Sequence, residues 1–230
     1  MPDDVKDIPA LRDRKKARQR VALLQAAAEL FRERGYDRTR MEDIATLADV
    51  STPTVYNYFA TKQGVLVELL TQDRLDMQEP VEAVLRNPPE DPAEALAQLI
   101  YTNMVPLRRT EDKLLWREML AAIVRAHDHE QDEFDRNRAI FKQHIRRLLE
   151  HFVAVGRISP TVPLAQAAEL VYAINAYDLR YLLATENHTP EMIRDMAREQ
   201  MALLIAGWAN VTRAKGPSST VRGARRKNRR

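Results

Sequence analysis

Between Ser51 and Phe59 the chain reads Ser-Thr-Pro-Thr-Val-Tyr-Asn-Tyr-Phe, which sets hydroxyls, an amide and phenols around two apolar positions. Val55 and Phe59 are four apart, so on a helix they share one face and turn inward together. Thr52, Pro53, Thr54, Tyr56, Asn57 and Tyr58 are then left around the exposed surface. That set suits contact with base edges and phosphates: the Asn57 amide can pair with an adenine edge and the Pro53 ring can touch a thymine methyl. Tyr56, Tyr58 and Lys62 are placed for phosphates. Ser51 caps the segment, and Arg40 adds a contact from the preceding element.

Other chemistry is sparse. The chain has no Cys, which removes disulfides, thiolate ligands and a Cys nucleophile. It also lacks the G-x-S-x-G, phosphate-loop and H-E-x-x-H patterns, so an enzyme is the weakest reading. His127-Asp128-His129-Glu130 offers imidazoles and carboxylates, but adjacent residues in a polar connection read as solvated, and neither a metal nor a cofactor is expected. His144 and His151 share a helix face without the Glu-x-x-His pairs of a di-iron bundle.

Charge lies mostly at the ends. The formal net charge is only +3. Arg12, Arg14, Lys15, Lys16, Arg18 and Arg20 nevertheless form one basic cluster, and Arg213, Lys215, Arg222, Arg225, Arg226, Lys227, Arg229 and Arg230 form another. Either can meet phosphate, or serve as a solvated face and a solubilising tail. The start, Met1-Pro2-Asp3-Asp4, has no apolar export segment, and the longest apolar run, Met201–Ala209, falls far short of the ~20 residues of a membrane span. A soluble, cytoplasmic protein is expected.

The elements that must position the Ser51–Phe59 run are helices. Apolar residues at Val21, Leu24, Ala27, Ala28 and Phe31 predict a first helix over 15–34, stopped by Gly35. Thr39 and Glu42 form a candidate capping box for a short second helix. Ser51 and Pro53 open a third, and Thr61 caps a fourth that runs toward Leu85, bent at Pro80. Asn87-Pro88-Pro89 breaks the pattern. Beyond it helices are expected at about 92–109, 111–127, 130–155, 163–185 and 190–212, making the chain all-α. The expected organisation is a flexible arm over 1–14, a helix-turn-helix domain over 15–62, a helical body over 63–212 that includes the linking helix, and a disordered basic tail over 213–230.

Three helices of this size with a tight Asp49-Val50-Ser51 turn match a helix-turn-helix, in which the third helix enters the major groove. The run Leu30-Phe31, Gly35-Tyr36, Ile44-Ala45, Val50-Ser51, Pro53-Thr54-Val55-Tyr56, Tyr58-Phe59 and Lys62 resembles the DNA-binding signature of the TetR family over about 50 residues. It departs from that signature at Arg40 and Gly64. The resemblance implies a homodimer, a pseudo-palindromic operator gripped by paired recognition helices, and a small-molecule effector whose binding in the variable body releases the DNA. Repression is what the family implies. A DNA-binding architectural or adaptor protein without an effector fits the same residues.

In the body, the helices carrying Leu164, Ala167, Ala168, Val171, Tyr172, Ile174 and Leu182, then Met192, Met196, Met201, Leu204, Ile205 and Trp208, have wide apolar surfaces that must be covered. The resemblance assigns these last two helices to the dimer bundle, with Asp178 and Arg180 as polar pairing at its edge. Candidate walls of an effector pocket are Tyr101, Met104, Trp116, Met119, Phe141, His144 and Tyr172, each of which can equally be core. Asn103 and Asn175 either orient a ligand or bond within the protein. The aromatic and Met side chains suit an apolar or aromatic molecule, while Arg117, Arg125 and His144 suit an anionic group.

Overall fold

A computed structural model describes residues 8–125 and 128–209, and among these the architecture is helical without a strand. The first helix, α1, runs Ile8–Arg34, so residues 8–14 are helical rather than an arm, and the basic cluster is carried on the exposed opening turns of α1. Its buried stripe is Leu23, Leu24, Ala27, Leu30 and Phe31, while Val21 stays half exposed. Residues 1–7, the tail beyond 209, and the side chains around His127 lie outside the described part.

Helix α2 (Met41–Leu47) begins one residue later than the Thr39 box implies. Thr39 is buried, and its hydroxyl donates to the carbonyl of Gly35 at 2.9 Å. The reciprocal contact at the helix start is instead the Arg40 amide donating to Asp43 Oδ2 at 2.8 Å. The turn into α3 (Thr52–Tyr58) passes through Asp49 at φ 53°, a left-handed conformation that Asp tolerates better than most residues. There the Val50 amide reaches the Ala45 carbonyl at 2.9 Å and closes α2.

Helix α4 (Lys62–Asp76) ends before α5 (Gln78–Arg86) begins, with the break at Met77. Pro80 explains the position: its ring conflicts with the carbonyl four residues back, that of Asp76, and it offers no N–H. Pro106 acts alike on the next helix, which stops as α6 (Pro92–Met104) and continues only as a 3-10 turn, Val105–Arg108. Then come α7 (Thr110–Arg125), α8 (Asp128–Ala154), α9 (Leu164–Ala184) and α10 (Pro190–Trp208). Helix α10 packs along α6, and α8 along α9.

Two cores result. The N-terminal one joins α1, α2 and α3 through Phe31, Ile44, Val55 and Phe59, but it does not stop at residue 62. Val65, Leu66 and Leu70 of α4 belong to it, as do Leu115 and Met119 of α7. The second core fills the body with Leu96, Leu99, Ile100, Leu148, Phe152, Val171 and Ile193 among others. Trp116 packs against both. Helix α7 is therefore the shared wall between the domains.

Candidate nucleic-acid interface and effector cavity

Helix α3 is fixed at both ends. At its start Ser51 Oγ lies 2.7 Å from Thr54 Oγ1 and accepts the Thr54 amide, so these two hydroxyls serve first as the cap. At its end Tyr58 donates its phenol proton to Gln19 Oε1 of α1 at 3.0 Å. Gln19 escaped sequence reasoning because its partner lies 39 residues away. With Val55 fully buried and Phe59 5% exposed, α3 presents Pro53, Tyr56 and Asn57 outward, with Thr52 and Thr54 partly so. Arg40, at the N-cap of α2, is exposed as well.

Lys62 is engaged within the protomer. Its ammonium donates to the carbonyls of Tyr36 at 2.6 Å and Thr39 at 2.9 Å, with Asp37 at 3.4 Å, and sits 4.1 Å over the Tyr36 ring. Burial pushes its pKa below the usual lysine range. An ammonium has three protons, and here they point at the loop closing α1, so Lys62 braces the domain from within. Arg20 is also engaged, pairing with Glu68 at 2.8 Å and lying over the Phe59 ring.

In the body, α4, α6, α7, α8 and α9 surround a cavity of about 370 Å³. Met104, Trp116, Phe141 and Tyr172 line it, as do Asn103 and Asn175; α4 contributes Leu70, Asp73 and Arg74, and Met77 follows at its C-terminal cap. The α4 face was missed although Leu70, Arg74 and Met77 recur at helical spacing. A smaller chamber of about 140 Å³ adjoins it, sharing Arg74, Met77, Asn103 and Phe141 and adding His144. Burial lowers the His144 pKa, and burial raises that of Tyr172.

Three other candidates lie elsewhere. Met119 is buried in the N-terminal core. The Tyr101 hydroxyl donates to Glu191 Oε1 at 3.1 Å and accepts from Arg108, in a cluster joining α6 to α10. Arg117 donates from Nε to the Leu183 carbonyl at 2.6 Å, so it closes α9 and does not line the cavity. Asp178 is likewise no edge group: it is fully buried and accepts from Gln200 Nε2 at 3.2 Å within the protomer.

Asp73 stands between the domains. It lines both the cavity and a groove between α1, α4 and α7. Burial, then the carboxylates of Asp76 and Asp112, raise its pKa to about 6, against the pull of Arg32.

A capped, outward-facing helix on a three-helix core, joined through α4 and α7 to a helical body with a cavity, is the architecture of a helix-turn-helix domain set on a helical bundle. Residues 23–69 match the bacterial regulatory proteins of the tetR family. Among characterised proteins, the chain is 42% identical over 57 residues to the HTH-type transcriptional regulator TcmR of Streptomyces glaucescens, covering 25% of each chain. It is 32% identical over 83 residues to the HTH-type transcriptional repressor NicS of Pseudomonas putida, covering 36% of this chain and 39% of that one. The similarity thus spans a quarter to about two fifths of these relatives' length. The fold extends further: a TetR-family transcriptional regulator from Pectobacterium atrosepticum superposes with a TM-score of 0.66 at 21% identity, over 85% of this chain and 96% of that one. No described helix is long and apolar enough to cross a membrane.

Proposed function

We propose that this protein is a cytoplasmic homodimeric transcriptional repressor that holds a pseudo-palindromic operator through α3 and is released by a small organic molecule in the α4-lined cavity. The observation that carries the reading is the outward face of α3. Pro53, Tyr56 and Asn57 are turned outward, whereas Thr54, Val55 and Tyr58 are held by the cap, the core and Gln19. Phosphate contacts come from the exposed basic turns of α1 and from Arg40, and base contacts from Asn57, Thr52 and Pro53.

Helix α4 supplies the coupling. Its first half, Val65, Leu66 and Leu70, is core of the DNA-binding domain, and its second half, Asp73 and Arg74 with the capping Met77, is cavity wall. A ligand that prefers one setting of α4 biases the separation of two recognition helices that must sit about 34 Å apart, one turn of DNA. The test is selection of bound sequences from random duplexes by wild type and Tyr56→Ala at two salt concentrations. Recovery of a pseudo-palindrome by wild type alone, with affinity falling steeply with salt, is expected. Equal, weak and unselective binding by both proteins would refute the assignment.

A further inference from the structure

We infer that the effector is an organic anion with an apolar, largely aromatic body, its acidic group taken by Arg74 at the seam of the two chambers. The inference rests on the cavity being the effector site and names the chemistry it selects.

Arg74 Nε is buried and has no hydrogen-bond partner, and among the described residues Arg74 enters no ion pair. A buried guanidinium N–H without an acceptor is costly, and a carboxylate, sulfonate or phosphate supplies the missing acceptor with matching planar or multidentate geometry. Arg74 also borders both chambers, so a head group held there leaves room on the larger side for a body against Met104, Trp116, Phe141 and Tyr172.

The other charges around the cavity do not reverse this preference. Arg138 is paired with Asp135. Asp73 is the one carboxylate in the wall, but the groups that perturb it are Asp76, Asp112 and Arg32, so its electrostatic neighbours lie on the groove side. With its pKa at about 6 it is largely ionised at neutral pH, so an anionic head group is held on the Arg74 side of the wall, away from Asp73. His144, in the smaller chamber, is held toward its neutral form by burial, against the pull of Glu82 and with Arg147 and Arg74, and an anion beside Arg74 would relieve the last of these. Asn175 Oδ1, also buried without a partner, would accept a hydroxyl or N–H from the ligand body.

The test compares two fluorescent probes of one skeleton: 1-anilinonaphthalene-8-sulfonate, an anion, and N-phenyl-1-naphthylamine, which lacks the sulfonate. Each is titrated into full-length wild type, Arg74→Gln and Leu179→Trp, the last to fill the cavity, and each is assayed for release of bound DNA. Arg74→Met replaces Arg74→Gln should that variant fail to melt cooperatively. The expected result is at least tenfold tighter binding of the anion by wild type, loss of that preference in Arg74→Gln with the neutral probe unchanged, and weakening of both probes by Leu179→Trp. Equal affinities in wild type, or a preference that survives in Arg74→Gln, overturns the anion inference while leaving the cavity as the effector site if Leu179→Trp still weakens both. Failure of both probes to bind, or binding indifferent to Leu179→Trp, overturns the cavity assignment and the inference with it.

Discussion

Asp112 and Lys113 are consecutive on α7 and hold the protein in opposite directions. Asp112 accepts from Arg32 Nε of α1 at 2.9 Å. Lys113, only 2% exposed, donates to the carbonyls of Thr185 at 3.1 Å, Glu186 at 3.0 Å and His188 beyond the end of α9. Arg117 adds a second cation at the same helix end, where unpaired carbonyls and the dipole favour positive charge. One turn of α7 thus ties the DNA-binding domain to the helix assigned to the dimer bundle.

The two residues should differ in their energetic weight. Asp112 and Arg32 are partly exposed, 19% and 39%, so Asp112→Asn is expected to cost below about 1 kcal/mol. Lys113→Met leaves three carbonyls without their donor and should cost about 2 kcal/mol or more. Urea denaturation of both variants measures this. A Lys113→Met protein as stable as wild type would show that water replaces the ammonium without loss.

Lys62 makes the corresponding contact in the other domain, which yields a distinction measurable on DNA. If Lys62 braced the α1–α2 loop only, Lys62→Met would lower the melting temperature yet leave the salt dependence of operator affinity unchanged. Loss of a phosphate contact would instead reduce the slope of log affinity against log salt by about 1. The expected outcome is the unchanged slope, read by fluorescence anisotropy across a salt series.

What the sequence made legible follows from how local each signal is. The helix-turn-helix rests on spacings within a few residues, such as Val55 with Phe59 and Ser51 with Pro53, and the helices form where those spacings place them. Lys62 and Lys113 carry no such mark, because their carbonyl partners lie 23 to 26 and 72 to 75 residues away. The cavity fell between these extremes. Trp116 and Met119, three apart, both read as buried, but α7 separates two cores, so Trp116 reaches the cavity and Met119 the N-terminal core. Periodicity identifies a buried face without saying what it faces.

Asp178 offers a prediction in pH. It is fully buried, its Oδ2 and the Oε1 of Gln200 lack partners, and burial raises its pKa to about 6, against the hydrogen bond from Gln200. Since the unfolded value is near 3.8, the folded state binds more protons between about pH 4 and 6, and the stabilisation present below that window is lost as pH rises through it. Asp178→Asn keeps a donor there at every pH. Relative to wild type it should gain stability, up to about 3 kcal/mol at pH 7, and the gain should vanish below about pH 4. Guanidinium unfolding of both proteins from pH 3.5 to 7.5 is the measurement, and a constant difference would refute the role of Asp178.

The last prediction concerns the face that α9 and α10 leave uncovered. Leu170, Tyr177 and Tyr181 lie at helical spacing on α9, each at least 37% exposed, and Leu203 on α10 is 80% exposed. Tyr181 stacks on both Tyr177 and His188, which holds the patch flat without burying it. Such a stripe is what a self-complementary two-fold contact needs, because each copy must offer the surface it receives. Leu203→Glu removes apolar area and places two like charges near the axis, while touching little within the protomer. It should therefore leave the helical circular dichroism intact, shift the protein to a monomer in sedimentation velocity, and weaken binding to a full palindrome at least tenfold while sparing the weaker affinity for a half-site. A dimer persisting in Leu203→Glu would place the two-fold contact on another face and free the α9–α10 stripe for a different partner.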